Sequence, residues 1–262
     1  MPATIIIPVR YASTRFPGKP LYPLLGRPLI EHVYERVRRA TRVQEVFVAT
    51  DHQLIYTAVE AFGGKAIMTS DKHRSGTDRI AEAVIKIGDA GYKIQEDDIV
   101  VNVQGDEPLI MPEMVDDVVG VMEDARASIG TLVKRIDAVD EITDPNIVKV
   151  AFNRDGFALY FSRAPIPYYR DLTGDRGYTI HDIRMHRVNI FKHIGIYAYK
   201  RDTLMSFSRL APTRLEKAER LEQLRALENG LNIKVKETFF ETIGVDTPED
   251  LERVHKCLST FS

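Results

Sequence analysis

The chain has 262 residues, 44% of them hydrophobic and 28% charged, and a globule of this size buries roughly 73% of the surface its unfolded chain exposes, enough for a large core without disulfides. Thirty-six basic against 38 acidic residues leave a net charge of −2, which gives no global polyanion-binding signal and disfavours nucleic acid as the main partner. A single cysteine, Cys257, makes neither an intramolecular disulfide nor a thiolate zinc site, and no apolar run approaches bilayer length, so no membrane association is expected.

Thr4–Val9 (TIIIPV) is a short apolar run suited to a strand buried on both faces. The preceding residues carry no charged, long apolar leader, so a protein of the reducing cytoplasm is expected. A turn-rich stretch leads to Pro28. Leu29, Ile30, Val33, Tyr34 and Val37 then fall at helical spacing, with Arg36, Arg38 and Arg39 on the wet side. Glu45–Thr50 predicts a strand, Gln53–Phe62 a helix and Lys65–Thr69 another strand. Ile80, Ala83, Val84 and Ile87 repeat the helical spacing behind a capping-box pair, Ser75 and Asp78. Asp98–Gln104 (DIVVNVQ) is the clearest strand of all. Such alternation predicts an α/β fold with a mostly parallel sheet covered on both faces.

The second half is less regular. Ser128–Lys134, Ile147–Phe152, Ala158–Phe161 and His193–Tyr199 read as strands, with a polar, arginine-rich excursion over Tyr168–Lys192. One helix is predicted over Thr213–Glu228, with Thr213 and Glu216 in capping-box register. Another starts at Thr247, where Pro248 takes the first helical position and Asp250 lies three after the cap. We expect a single domain over 1–262 with a smaller insertion around 155–200.

Residues 1–30 contain no Asp or Glu, yet carry Arg10, Arg15, Lys19 and Arg27. Ligands of open α/β sheets bind beyond the carboxyl ends of strands, so a cationic loop after the first strand sits where a phosphate chain would bind. Guanidinium and ammonium groups suit phosphate oxygens, with Ser13, Thr14 and backbone amides as further donors. The loop is neither a Walker A sequence nor G-x-G-x-x-G, which disfavours a dinucleotide-binding dehydrogenase. A solvated surface loop is the bland reading, and thirty residues without an acid weaken it.

Two aspartates complete the pattern. Asp106 follows the best strand in Asn102-Val-Gln104-Gly105-Asp106, where Gly105 permits a sharp turn toward the face of the basic loop. A carboxylate beside a phosphate chain needs a cation between them, and Mg²⁺ is bound through one or two carboxylates plus phosphate oxygens. Asp246, before Thr247-Pro248, is the second candidate ligand, although Asp before Thr-Pro is also ordinary turn chemistry. His73-Arg74-Ser75-Gly76-Thr77-Asp78-Arg79 opens a helix whose free amides could meet an anion or a base edge, although ordinary capping explains the stretch as well.

Seven blocks, in order along nearly the whole chain, resemble one family: PVRYASTRFPGKPL (8–21), RSGTDRIAEA (74–83), NVQGDEPLI (102–110), YFSRAPIPY (160–168), KHIGIYAY (192–199), LEQLRALENG (221–230) and VDTPEDL (245–251). They are similar to the 3-deoxy-manno-octulosonate (KDO) cytidylyltransferases. The resemblance implies a three-layer α/β/α sandwich of the nucleotide-diphospho-sugar transferase type, Rossmann-like, with a mostly parallel mixed sheet and a smaller inserted dimerisation subdomain. It implies a homodimer, and Mg²⁺-dependent transfer of CMP from CTP to the anomeric hydroxyl of KDO, with pyrophosphate released, for lipopolysaccharide biosynthesis. By resemblance, Arg10, Ser13, Arg15 and Lys19 would hold the triphosphate, and Arg74, Ser75, Gly76 and Arg79 would frame the cytosine. Gln104 would lie between nucleotide and sugar, and Arg163, His193, Tyr197, Glu222 and Gln223 would line the sugar pocket. Lys19, Asp106 and Asp246 would be catalytic, the two aspartates as metal ligands. Segment 168–192 aligns least well. Transfer to another 2-keto sugar acid (8-amino-KDO or a sialic acid), or a non-catalytic nucleotide-binding module, stay open as alternatives.

Overall fold

The computed structural model describes residues 2–12, 16–171, 178–185 and 188–260. Ala3–Val9 forms β1, followed by a 3₁₀ turn at Lys19–Leu21 and a small hairpin of β2 (Pro23–Leu24) and β3 (Arg27–Pro28). Then come α1 (Leu29–Val37), β4 (Val43–Thr50), α2 (Gln53–Ala61), β5 (Ala66–Met68), α3 (Gly76–Asp89), β6 (Ile99–Asn102) and α4 (Pro112–Val121). The second half runs β7 (Ile129–Arg135), α5 (Val139–Thr143), β8 (Lys149–Phe152), β9 (Ala158–Ser162), α6 (Ile180–Arg184), β10 (Phe191–Lys200) and α7 (Arg201–Phe207). It closes with α8 (Arg214–Glu219), α9 (Gln223–Glu228), β11 (Ile233–Glu237) and α10 (Pro248–Thr260).

The main sheet has the order β11-β7-β10-β6-β1-β4-β5, with β8 pairing β10 and β9 pairing β8. β1 pairs β4 and β6 in parallel, β4 pairs β5 and β7 pairs β11 the same way, and β10 runs antiparallel to β6 and β7. It is the mostly parallel mixed sheet of an α/β sandwich. Alternate residues of β1 feed opposite faces. Ile5, Ile7 and Val9 join the core under α1, α4 and α10. Ile6 joins a second core under α3, α7 and α9. Strands buried on both faces read as unbroken apolar runs, which is why TIIIPV carries no alternation.

Connections leave β1 toward β4 on one side and return to β6 on the other. This reversal opens a crevice beyond the carboxyl ends of β1 and β6, where ligands of such sheets bind.

Several elements depart from the sequence reading. The helix expected over Thr213–Glu228 is two helices, broken at Arg220 in the left-handed region (φ 55°). The break turns Leu221 and Leu224 into the core and brings the Arg225 guanidinium onto Glu216, at 2.8 and 2.5 Å. Helix α4 was unanticipated because its four valines lower helix propensity. β11 was missed although Ile233 and Val235 alternate with lysines. The strands bracketing the excursion, β9 and β10, belong to the main sheet, and β10 is central in it. Between them, Ile183, Val188 and Ile190 form a small separate core with Ile136 and Ile142.

Candidate active site

The crevice contains a hollow of ≈ 330 Å³ whose walls come from the ends of β1 and β6, the 3₁₀ turn, the start of α3 and the loop before α10. Arg10, Lys19, Arg74, Ser75, Gly76, Arg79, Gln104, Asp106 and Asp246 all line it. Ser13 and Arg15 lie outside the described residues. Segments from both ends of the chain therefore meet around one space.

Lys19 is central. Its Nζ donates to Asp106 Oδ2 at 2.7 Å, to Val245 O at 2.5 Å and to Asp246 Oδ1 at 3.4 Å. The two aspartate loops are tied directly, because Val245 N donates to Asp106 O at 2.8 Å. The loop of Asp246 is also set by the start of α10, where Asp250 Oδ2 accepts from Asp246 N, Thr247 N and Thr247 Oγ1. Asp250 is held below the usual carboxylate range, these hydrogen bonds outweighing its burial. Beside Asp106, burial and the neighbouring carboxylate push Glu107 up to about 8.

The wall opposite is the start of α3. Ser75 caps it by accepting from Asp78 N at 3.1 Å, and Ser75 and Gly76 at the helix mouth line the hollow. Arg79 is 4% exposed and its guanidinium is committed, with NH2 on Asp51 Oδ2 at 2.7 Å and NH1 on Thr69 Oγ1 at 2.6 Å. Asp51 in turn accepts from Tyr11 N at 3.3 Å, and the Tyr11 ring stacks on His52 with centroids 4.0 Å apart. Arg79 thus braces the cationic loop more than it presents charge to a ligand. Asp51 and His52 were missed in the sequence. The signal was an Asp directly after the strand Glu45–Thr50, the same signal that marked Asp106. His73, the first residue of the stretch that opens α3, lines the hollow and pairs with Glu82, which three partners (Lys86, Ser70 N and His73) hold down at about 2 against the opposing effect of its burial.

The remaining predicted residues do not line this hollow, and of them Tyr197 and His193 lie together with the Glu222 carboxyl near Tyr197. Tyr197 is paired with Asn102 across β10 and β6, two residues before Gln104. The His193 ring lies 5.2 Å from Tyr197, and His193 Nε2 is 2.9 Å from Thr131 Oγ1. That hydroxyl spends its one proton on a backbone carbonyl, Ile196 O at 2.7 Å, so it accepts from a protonated Nε2 and leaves Nδ1 as an acceptor. Burial lowers His193 to about 3 and raises Tyr197, keeping both neutral. Glu222 is joined to the hollow's wall through Thr77, whose Oγ1 donates to Oε2 at 2.6 Å, and burial raises its pKa. Gln223 follows, buried at the start of α9. Arg163 is turned elsewhere: its Nε donates to Glu219 O and its NH1 to Pro145 O.

Among the described residues, no group of three or more His, Cys, Asp or Glu side chains is placed to hold a metal. The spot occupied by Lys19 Nζ nevertheless gathers two carboxylates and a carbonyl around one positive charge. Hard oxygen donors of this kind suit Mg²⁺, which keeps waters and substrate oxygens for its other positions. No helix of the described residues is long and apolar enough to cross a membrane.

Comparison with known proteins bears on this geometry. The family described as Cytidylyltransferase matches residues 4–237. A 3-deoxy-manno-octulosonate cytidylyltransferase of Thermodesulfovibrio yellowstonii is 54% identical over 257 residues, covering 98% of both chains. The protein of the same description from Geobacter metallireducens is 51% identical, covering 100% of this chain and 99% of its own. Among solved structures, a CMP:2-keto-3-deoxy-manno-octonic acid synthetase complexed with CTP superposes with a TM-score of 0.87 at 43% identity, over 100% of each chain.

Proposed function

The chain belongs to the cytidylyltransferase family, in its 3-deoxy-manno-octulosonate branch, and from that premise we propose that it transfers CMP from CTP to the anomeric hydroxyl of KDO with the help of Mg²⁺. The bond from the sugar oxygen to the α-phosphorus forms as the bond to pyrophosphate breaks. The observation that carries the reading is the meeting of Lys19 with Asp106 and Asp246 at the rim of a cationic hollow.

Transfer of this kind needs positioning and charge neutralisation more than covalent help. Arg10 and Lys19, with Ser13 and Arg15 of the same loop, hold the triphosphate, and Lys19 meets charge growing on pyrophosphate. Arg74, Ser75 and Gly76, at the mouth of α3, frame the base with Arg79 of the same wall, whose guanidinium is held by Asp51 and Thr69. Asp106 and Asp246 would hold the Mg²⁺ ion. When bound, the ion lowers the attacking hydroxyl's pKa and neutralises phosphate charge. Gln104 bridges nucleotide and sugar. His193, Tyr197, Glu222 and Gln223 line the sugar side, His193 offering an acceptor to a hydroxyl and Glu222 a carboxyl. Arg163 would reach the sugar's carboxylate by leaving its two backbone carbonyls.

The product would feed lipopolysaccharide biosynthesis in the cytoplasm. The protein acts as a homodimer, the segment within 155–200 contributing contacts: its Ile180 is exposed on one surface hollow together with Phe239, which follows β11. The test is pyrophosphate release with CTP, UTP, ATP or GTP, each with and without KDO and Mg²⁺. Release with CTP, KDO and metal together is expected, and release with a sugar 1-phosphate instead overturns the reading. Asp106→Asn should lower turnover at least ~100-fold, as removal of one electrostatic stabiliser does, with the fold intact; near-normal turnover removes Asp106 from the metal site.

A further inference from the structure

The cation between the two acidic anchors is the protein's own. Asp106 Oδ2, Val245 O and Asp246 Oδ1 surround Lys19 Nζ at 2.7, 2.5 and 3.4 Å, and the lysine side chain is 12% exposed. An ammonium has three donors and no acceptor, so all it offers here is spent on those oxygens. A divalent ion requires the same lone pairs. Two cations cannot share that spot, because the same oxygens cannot face an ammonium and coordinate a divalent ion at once, and like charges a few ångströms apart repel.

Removing the ammonium is unfavourable by itself. It takes from Asp106 Oδ2, Val245 O and Asp246 Oδ1 the charge they share, and breaking a partly buried pair from one side costs more than the pair contributes. The departing ammonium needs a new anion, and a triphosphate in the hollow supplies one. The backbone around Lys19 need not move: Gly18 is held against the Tyr11 ring, Leu21 N donates to Gly18 O and Tyr22 N to Lys19 O. Rotation of the four-carbon stem is sufficient.

Resting on the reading that Asp106 and Asp246 hold the metal, we infer that Lys19 is an internal counter-ion that closes this pair to free divalent metal until the triphosphate draws the ammonium away. Metal then enters with the nucleotide or after it, never ahead of it.

Mn²⁺ is the probe, followed by its electron paramagnetic resonance signal and by thermal melting. Without nucleotide, Lys19→Met should bind Mn²⁺ at least tenfold more tightly than the parent and gain more melting temperature from it. Lys19→Arg, which keeps the charge, should stay near the parent. If Lys19→Met fails to melt cooperatively, Lys19→Gln takes its place. With a non-hydrolysable CTP analogue, the parent should alter the hyperfine pattern of bound Mn²⁺, and Asp106→Asn should not. An Asp106-dependent pattern with no gain in the Lys19 variants overturns the counter-ion role and leaves the metal assignment standing. A pattern indifferent to Asp106 overturns both.

Discussion

Gly105→Ala tests how closely the loop bearing Asp106 is packed against the first strand. A Cβ built at Gly105 stands 2.1 Å from Val9 Cγ1, 3.3 Å from Pro8 O and 3.4 Å from Ile7 Cγ2. Carbon atoms rest at about 3.5–4.0 Å, so the first overlap exceeds an ångström. Val9 is 6% exposed and β-branched, with little freedom at χ1, and Pro8 O is backbone. The loop must yield. Overpacking of this kind costs about 1–3 kcal/mol, or roughly 2–10 °C of melting temperature in a chain of this size. Asp106 moves with the loop and pulls on Val245, and misplacement by ~1 Å costs on the order of 100-fold in rate. Gly88→Ala is the control, since a Cβ there meets nothing within 4 Å inside α3, and it should stabilise by about 0.5–1 kcal/mol. Urea unfolding gives the stabilities, and pyrophosphate release well below the melting temperature gives the rates. Gly105→Ala with stability within about 0.5 kcal/mol of the parent and unchanged turnover refutes the packing argument.

Other substitutions probe separate contacts. His193, near 6.5 when unfolded and lowered to about 3 by burial, binds fewer protons in the folded state between those values. Its contribution is complete above pH 6.5 and drains as pH falls toward 3; because part of the residue is open to solvent, about 1–2 kcal/mol should be lost between pH 7 and 5. His193→Gln should flatten that fall in urea midpoints, and equal losses in both proteins contradict the burial argument. Arg79→Met leaves Asp51 without its guanidinium and should destabilise by about 3–5 kcal/mol, read by urea unfolding; a loss below about 1 kcal/mol shows the pair to be dispensable. Tyr197→Phe should raise KM for KDO more than KM for CTP in steady-state assays, and equal effects place Tyr197 away from the sugar.

Much of the fold was legible along the chain because its signals are local. Apolar runs mark β1, β4 and β6, and Ser75 and Thr247 mark helix starts through hydrogen bonds closed within three residues. The acid-free stretch of residues 1–30 and the turn after β6 pointed to a cationic loop and Asp106 without any knowledge of their distance. Misses arose where tertiary packing overrode local preference. Val-rich α4 is helical because Met114, Val115, Val118 and Val119 are buried in one core. The helix expected over Thr213–Glu228 breaks so that Leu221 and Leu224 reach the other.

Residue identity alone supplied the chemical inventory: cations in one loop, aspartates at strand and helix ends, and the family blocks. Only the folded chain decided the pairings. Arg79 is spent on Asp51, Arg163 on the carbonyls of Glu219 and Pro145, and Lys19 on Asp106 and Asp246. A charge is chosen by its nearest partner in space, and partners 18 to 227 residues apart leave no trace in local spacing.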